Sequence, residues 1–198
     1  MEAWDINGRT LEFDEESHIY LCDGVIVPSV TTILKAFFDD YQCVSRTVLE
    51  QASARGTELH EAIEIYEKTG QESDLKEFRN YLFLKRHFGI KNIANELPVI
   101  YEESGKVIFA GRLDQIIEID GKLGINDFKR VSAPNKEKIA YQLNLYKLAY
   151  EQSYHQQINS LSFMQLREDT RKFNPLPIIE ESTKNLLKKY QEQKNGKQ

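Results

Sequence analysis

Lys106-Val-Ile-Phe-Ala-Gly-Arg-Leu-Asp114-Gln-Ile-Ile-Glu-Ile-Asp120-Gly-Lys-Leu-Gly-Ile-Asn-Asp127-Phe-Lys129-Arg130 is the stretch that decides the fold. It is rich in β-branched and aromatic residues and is broken once, by Asp120-Gly121, a dipeptide suited to a tight hairpin turn. Residues 106–119 and 122–130 therefore read as two antiparallel strands. On a strand, side chains two apart share a face about 6.5–7 Å apart. Asp127 and Lys129 thus point one way and Phe128 the other. Asp114 stands among Leu113, Ile116 and Ile117, too apolar a neighbourhood for a free charge, which needs a cation or a metal beside it. One hairpin can bring both carboxylates to one cation.

Outward from this hairpin the pattern alternates between strand and helix. Residues 94–102 read as a strand, joined to the hairpin by a turn at Ser104-Gly105. Residues 136–154 return to helical spacing, with Ile139, Leu143, Tyr146 and Tyr150 on one face, and a strand is expected at 160–167. Pro175 and Pro177 suit an edge strand at 172–179. Upstream, residues 10–28 read as a β-hairpin turning at Asp23-Gly24, and Ser29 caps a short helix through Val30, Ile33, Leu34 and Phe37. Helices follow at 45–69, with a buried face of Ala52, Gly56, Leu59, Ile63 and Tyr66, and at 73–87. The expected fold is α/β, a central mixed β-sheet flanked by helices in a single domain. Residues 1–181 form that domain (N-terminal hairpin and helices over 1–90, core over 91–181), and 182–198 form a polar C-terminal helix or tail.

Composition narrows the class. A chain of 198 residues with 40% hydrophobic and 11% aromatic content supports one folded core. Its two cysteines, Cys22 and Cys43, make neither a disulfide framework nor a four-cysteine cluster. No apolar run reaches membrane-spanning length and the acidic N-terminus is unlike a signal peptide, so a cytoplasmic setting is expected. A net charge of −5, from 26 basic and 31 acidic residues, argues against coating nucleic acid by bulk charge. It leaves room for a local basic groove beside an acidic centre neutralised by divalent cations.

Each candidate residue also has a plainer explanation. Asp127-Phe128-Lys129 alone equally describes an exposed strand of alternating charges, and Asp114 alone a salt bridge. His60, one turn after Gly56, falls at the border of the helix's buried stripe, where a neutral imidazole can ligate a metal or hydrogen-bond to backbone. Glu96 can add a carboxylate or sit in solvent at a strand start. Gln142 and Tyr146, four apart, share a helix edge and can touch phosphate or base, or simply pack. Arg46, Arg55, Arg112, Arg130, Lys136 and Lys138 are the cations nearest these motifs.

The ordered series Gly56-x-x-x-His60, Gly111-x-x-Asp114, Asp127-x-Lys129 and Gln142-x-x-x-Tyr146 resembles the RecB-like branch of the PD-(D/E)XK nuclease superfamily. That branch includes helicase–nuclease domains, CRISPR adaptation exonucleases and mitochondrial genome-maintenance exonucleases. The likeness spans residues 56–146, and Pro28–Leu34 is similar to the lead-in of some members. It implies a restriction-endonuclease-like core and a DNA exonuclease dependent on Mg2+ or Mn2+, with one or two ions. Carried across, it implies that His60, Asp114, Asp127 and the Phe128 carbonyl hold metal, with Glu96 at a further acidic position. Asp114, Asp127 and Lys129 would be catalytic, and Gln142, Tyr146, Arg55, Arg112 and Arg130 would bind substrate. Many RecB-like members hold an iron–sulfur cluster with four cysteines; with two, none is expected here. The implied partner is DNA, as single strands or duplex ends, with a helicase or recombination protein as a separate motor. A non-catalytic DNA-end module and an endonuclease using the same site remain the alternatives.

Overall fold

The computed structural model describes residues 1–38 and 46–196, with the side chains of 46–55 outside the description. Its centre is a five-stranded sheet: β5 (Lys91–Glu103), β6 (Lys106–Ile119), β7 (Lys122–Lys129), β8 (Ser160–Arg167) and β9 (Thr170–Leu176), in that spatial order. All pairs are antiparallel except β7–β8, which is parallel. A parallel pair needs a long crossover, and α4 (Lys136–Tyr154) supplies it. Asn135 caps that helix, its side chain accepting from the Lys138 N–H at 3.1 Å. The sheet is therefore mixed, with the hairpin β6–β7 at its middle, as the sequence suggested.

Alternation along the strands sends side chains to two layers. Leu113, Ile116, Ile125, Leu161 and Phe163 pack with Leu143, Tyr146, Ala149 and Tyr150 of α4, and with Val30, Ile33 and Leu34 of α1 (Val30–Lys35). Ile117, Phe128, Met164 and Leu166 pack instead with α2 (Arg46–Thr69) and α3 (Lys76–His87), through Leu59, Ile63, Phe78 and Tyr81. Burying each such side chain contributes roughly 1.5–3 kcal/mol. The last helix, α5 (Glu180–Asn195), starts two residues before the expected Ser182. The expected helix docks Thr183, Leu186, Leu187 and Tyr190 into the protein.

The N-terminal region is more elaborate than a hairpin. A second antiparallel sheet runs β1 (Glu2–Ile6), β2 (Arg9–Asp14), β3 (Ile19–Cys22) and β4 (Val25–Val27). The turn missed in the sequence is Asn7-Gly8, whose two positive φ angles (54° and 77°) fit a tight hairpin turn. Ile6, Leu11, Phe13, Tyr20 and Val27 make a core with Ile100 and Ala110 of the main sheet. Backbone bonding joins the two sheets, with Ala110 N–H donating to Pro28 O at 3.0 Å. No described helix is long and apolar enough to cross a membrane.

Candidate active site

At one level of the sheet the β6–β7 pairing ends and the backbone of β5 turns left-handed at a single residue. The β6–β7 register runs from Ile119↔Lys122 to Gln115↔Asn126 and ends there. Beyond it, the Phe128 N–H donates at 2.9 Å to the Asp114 carboxylate instead of to a backbone carbonyl. Opposite, Asn95 pairs with Gln115 and Leu97 with Leu113, while Glu96 between them has φ of 49°. A glutamate with left-handed backbone inside a strand is uncommon, and such strain gathers at functional sites. The result places Glu96, Asp114 and Asp127 on three adjacent strands where the sheet parts.

Helix α2 brings His60 to this opening. Its Nδ1 lies 3.6 Å from Glu96 Oε1 and its Nε2 3.6 Å from Asp114 Oδ2. One ligand atom from each of His60, Glu96 and Asp114 falls within 4.8 Å of the others. The imidazole ring also meets Phe128 edge-on, with centroids 5.4 Å apart. Burial works to lower the His60 pKa, but Asp114 and Glu96, with Asp127 beyond them, outweigh it and raise it to about 9.

Asp127 sits deeper, only 2% exposed. Lys129 Nζ lies 2.6 Å from its Oδ2 as an ion pair, and Gln142 of α4 donates to Oδ1 at 3.3 Å. Despite the close ammonium, Oδ2 has no well-directed hydrogen bond. Burial pushes the Asp127 carboxyl above its usual range; Lys129 opposes this and Asp114 adds to it. A buried carboxylate oxygen with unfilled acceptor capacity, near two carboxylates and an imidazole, fits a hard divalent cation.

The residues singled out in the sequence separate into groups. His60, Glu96 and Asp114 converge, and Glu96 is more central than its strand-start position suggested. Asp127 and Lys129 form the adjoining pair, with Gln142 reaching them. Tyr146 is instead a core residue, packed against Gly111, and burial drives its hydroxyl pKa well up. Arg112 pairs with Glu96 at 2.9 Å and Glu2 at 3.1 Å, and Arg130 pairs with Glu77. The Arg46 and Arg55 side chains lie outside the description, as does Cys43 altogether.

The sequence reading also passed over a buried polar chain beside these carboxylates. Lys85 pairs with Glu67, and the Tyr81 hydroxyl donates to Glu67 at 2.7 Å. Gln115 donates to Tyr81 at 3.0 Å and accepts from Asn126 at 3.1 Å, and Ser162 donates to Asn126 at 3.1 Å. Polar residues at positions 115 and 126, inside otherwise apolar strands, were the available signal. The cleft above His60 has a volume of about 670 Å3, bounded by α2 and by Glu2, Trp4 and Glu15 of the N-terminal region.

Residues 47–196 match the family model of the PD-(D/E)XK nuclease superfamily, and the chain belongs to that superfamily. Membership points to nuclease activity, a chemistry for which divalent metal is used. A comparison with curated proteins returns no match. Among solved structures, SSO0001 is similar over 85% of this chain and 76% of its own, at 17% identity and a TM-score of 0.48.

Proposed function

We propose that this protein is a divalent-metal-dependent deoxyribonuclease of the RecB-like branch, acting on DNA ends as an exonuclease. The observation that carries the reading is the meeting of His60, Glu96 and Asp114 beside the Asp127–Lys129 pair, where the sheet parts. His60, Glu96, Asp114 and Asp127 would hold Mg2+ or Mn2+, with the Phe128 carbonyl as a further oxygen donor. When bound, such an ion lowers the pKa of a water and offsets charge on the scissile phosphate.

The chain's own groups account for the rest. Lys129, fixed by Asp127, orients the attacking water and meets the negative charge that grows on the phosphoryl oxygens. Gln142 holds Asp127 from the α4 side. Asp114 accepts from the Phe128 N–H through Oδ2, and that anchor holds the same oxygen facing His60. Hydrolysis joins the water oxygen to phosphorus and breaks the ester bond; the leaving oxygen takes up a proton, giving a phosphate monoester and a free hydroxyl.

A cleft of about 670 Å3 has the scale of a small-ligand site. A short stretch of one strand matches that scale, which supports an end-directed enzyme. DNA is the proposed substrate, a helicase or recombination protein the proposed partner, and the cytoplasm the proposed setting. The deciding experiment is digestion of 5′- and 3′-labelled linear single strands, duplex and circles with Mg2+, Mn2+ or EDTA. End-dependent cleavage in metal alone is expected. Cleavage of the circle would move the reading to an endonuclease, and inactivity on every substrate to a DNA-end binding module.

A further inference from the structure

The described walls of the cleft are poorly suited to grip a polyanion. Glu2, Glu15, Glu61, Glu64 and Glu96 outnumber Lys68 and Arg112 there, and Arg112 is already paired with Glu2 and Glu96. A second groove, on the outer side of α3 and β9, has the opposite character. It encloses about 620 Å3 and is lined by Arg79, Phe83, Arg86, His87 and Arg171, with Leu82 and one acid, Glu72. Residues 79, 83, 86 and 87 recur at helical spacing, so they form one stripe along α3.

Its rings and cations are arranged in layers. The Arg171 guanidinium lies 3.7 Å from the Phe83 ring centroid. Phe83 and His87 stack with centroids 5.7 Å apart and planes 9° from parallel, and His87 meets Phe88 edge-on at 4.8 Å. Phe83 and Phe88 are 44% and 40% exposed, so this apolar surface faces solvent. The positive charge is largely uncommitted. Arg79 has only the fully exposed Asp74, 3.9 Å away, and Arg86 and Arg171 have no carboxylate partner among the described residues. In a chain of net charge −5, a groove with three arginines and one acid is a local reversal of sign.

We propose that this groove is a second, non-catalytic site for single-stranded nucleic acid. Backbone phosphates lie on Arg79, Arg86 and Arg171, and an unpaired base extends the Arg171–Phe83–His87 stack. The chemistry selects a single strand because a paired base offers no free face to the rings. The proposal deepens the nuclease reading and rests on it only in making the held strand the substrate of the metal cleft. The path between the two sites is marked by Arg130, the residue after Lys129, which pairs with Glu77 in the first turn of α3. The basic stripe begins two residues further along that helix.

The test uses the full chain with a fluorescein-labelled oligothymidylate of about 20 nucleotides, a length beyond one site of roughly 4–16. Anisotropy is read in EDTA, where cleavage is off. Phe83→Ala is expected to weaken binding about fivefold or more, the loss of one stacked base. Arg86→Gln with Arg171→Gln is expected to flatten the salt dependence by about 1.4 log units per log unit of salt, for two phosphates on a single strand. All three side chains are exposed, and an unchanged melting temperature verifies the fold. With metal present, a dinucleotide is cleaved at the wild-type rate by these variants, while the long oligonucleotide shows raised KM and unaltered kcat. Unchanged oligonucleotide affinity in all variants overturns the proposal. So does equally tight binding of polyglutamate that is lost in the same variants, which would assign the groove to an acidic protein. If wild type cleaves nothing while the anisotropy differences persist, the groove stands and the nuclease reading falls.

Discussion

Gly111→Ala should destabilise the protein through one contact, and that contact explains two positions of the motif series together. A Cβ on Gly111 would lie 2.7 Å from Tyr146 Cε1 and 3.3 Å from Val30 Cγ2. The first distance is well inside van der Waals contact, so something must move. Tyr146 is only 6% exposed and locked among α1, α4 and the sheet, and Val30 is 1% exposed. Overpacking a filled core costs about 1–3 kcal/mol. The lower chain entropy of alanine in the unfolded state returns roughly 0.4–1 kcal/mol. The net is a loss of about 1–2 kcal/mol, which for a chain of this size lowers the melting temperature by about 2–8 °C. Thermal and urea unfolding read it directly. The decisive comparison is the double-mutant cycle with Tyr146→Leu: if the ring is the obstacle, Gly111→Ala becomes nearly neutral in that background. A neutral single variant, or a penalty that survives removal of the ring, would refute the reasoning.

Asp127→Ala and Lys129→Ala should each abolish metal-dependent cleavage while leaving circular dichroism native; full activity in either would sink the assignment. His60 should link metal uptake to pH. Its imidazole holds a proton up to about pH 9 in the metal-free protein and must shed it to ligate. Apparent Mn2+ affinity should therefore rise as pH rises, about tenfold per unit through the neutral range, and calorimetry in buffers of different ionisation enthalpy should find about one proton released per ion. His60→Ala should remove that linkage; a pH-independent affinity in wild type would count against ligation. Gln115→Leu should cost roughly 3 kcal/mol, because buried Tyr81 and Asn126 each lose a partner at about 1–3 kcal/mol and half-buried Asn92 loses less. The urea midpoint should fall with an unchanged slope, and a near-neutral result would show the network to be dispensable.

The central hairpin was legible because Asp120-Gly121 fixes its turn and period-two alternation fixes its faces. Those two facts already place Asp127 and Lys129 together and Asp114 nearby. Other features depended on pairings that single-chain periodicity does not encode. Glu96 read equally as a metal carboxylate or a solvated strand start, since nothing in the sequence shows the left-handed backbone it adopts between the pairs Asn95↔Gln115 and Leu97↔Leu113. Tyr146 read as either a substrate contact or a packing residue, because helical spacing gives an edge without saying what packs on it; the neighbouring Gly111 was the missing half. The N-terminal sheet was underestimated because Asn7-Gly8, a strong turn dipeptide, joins strands of only five and six residues. Arg112 and Arg130 were free cations in sequence and acquired carboxylate partners only through tertiary contact.

The chain of side chains from Glu67 through Tyr81, Gln115 and Asn126 to Ser162 acts as a lock on strand register. Gln115 and Asn126 are directly paired across β6 and β7, and each is the immediate neighbour of a carboxylate, Asp114 and Asp127 respectively. A slip of one residue between these strands would turn both amides away from each other and leave buried polar atoms without partners. The same slip would carry Asp114 and Asp127 to opposite faces. The alignment of the acidic pair is thus enforced by the uncharged residues beside it, and misaligned pairings are penalised during folding before any metal is bound.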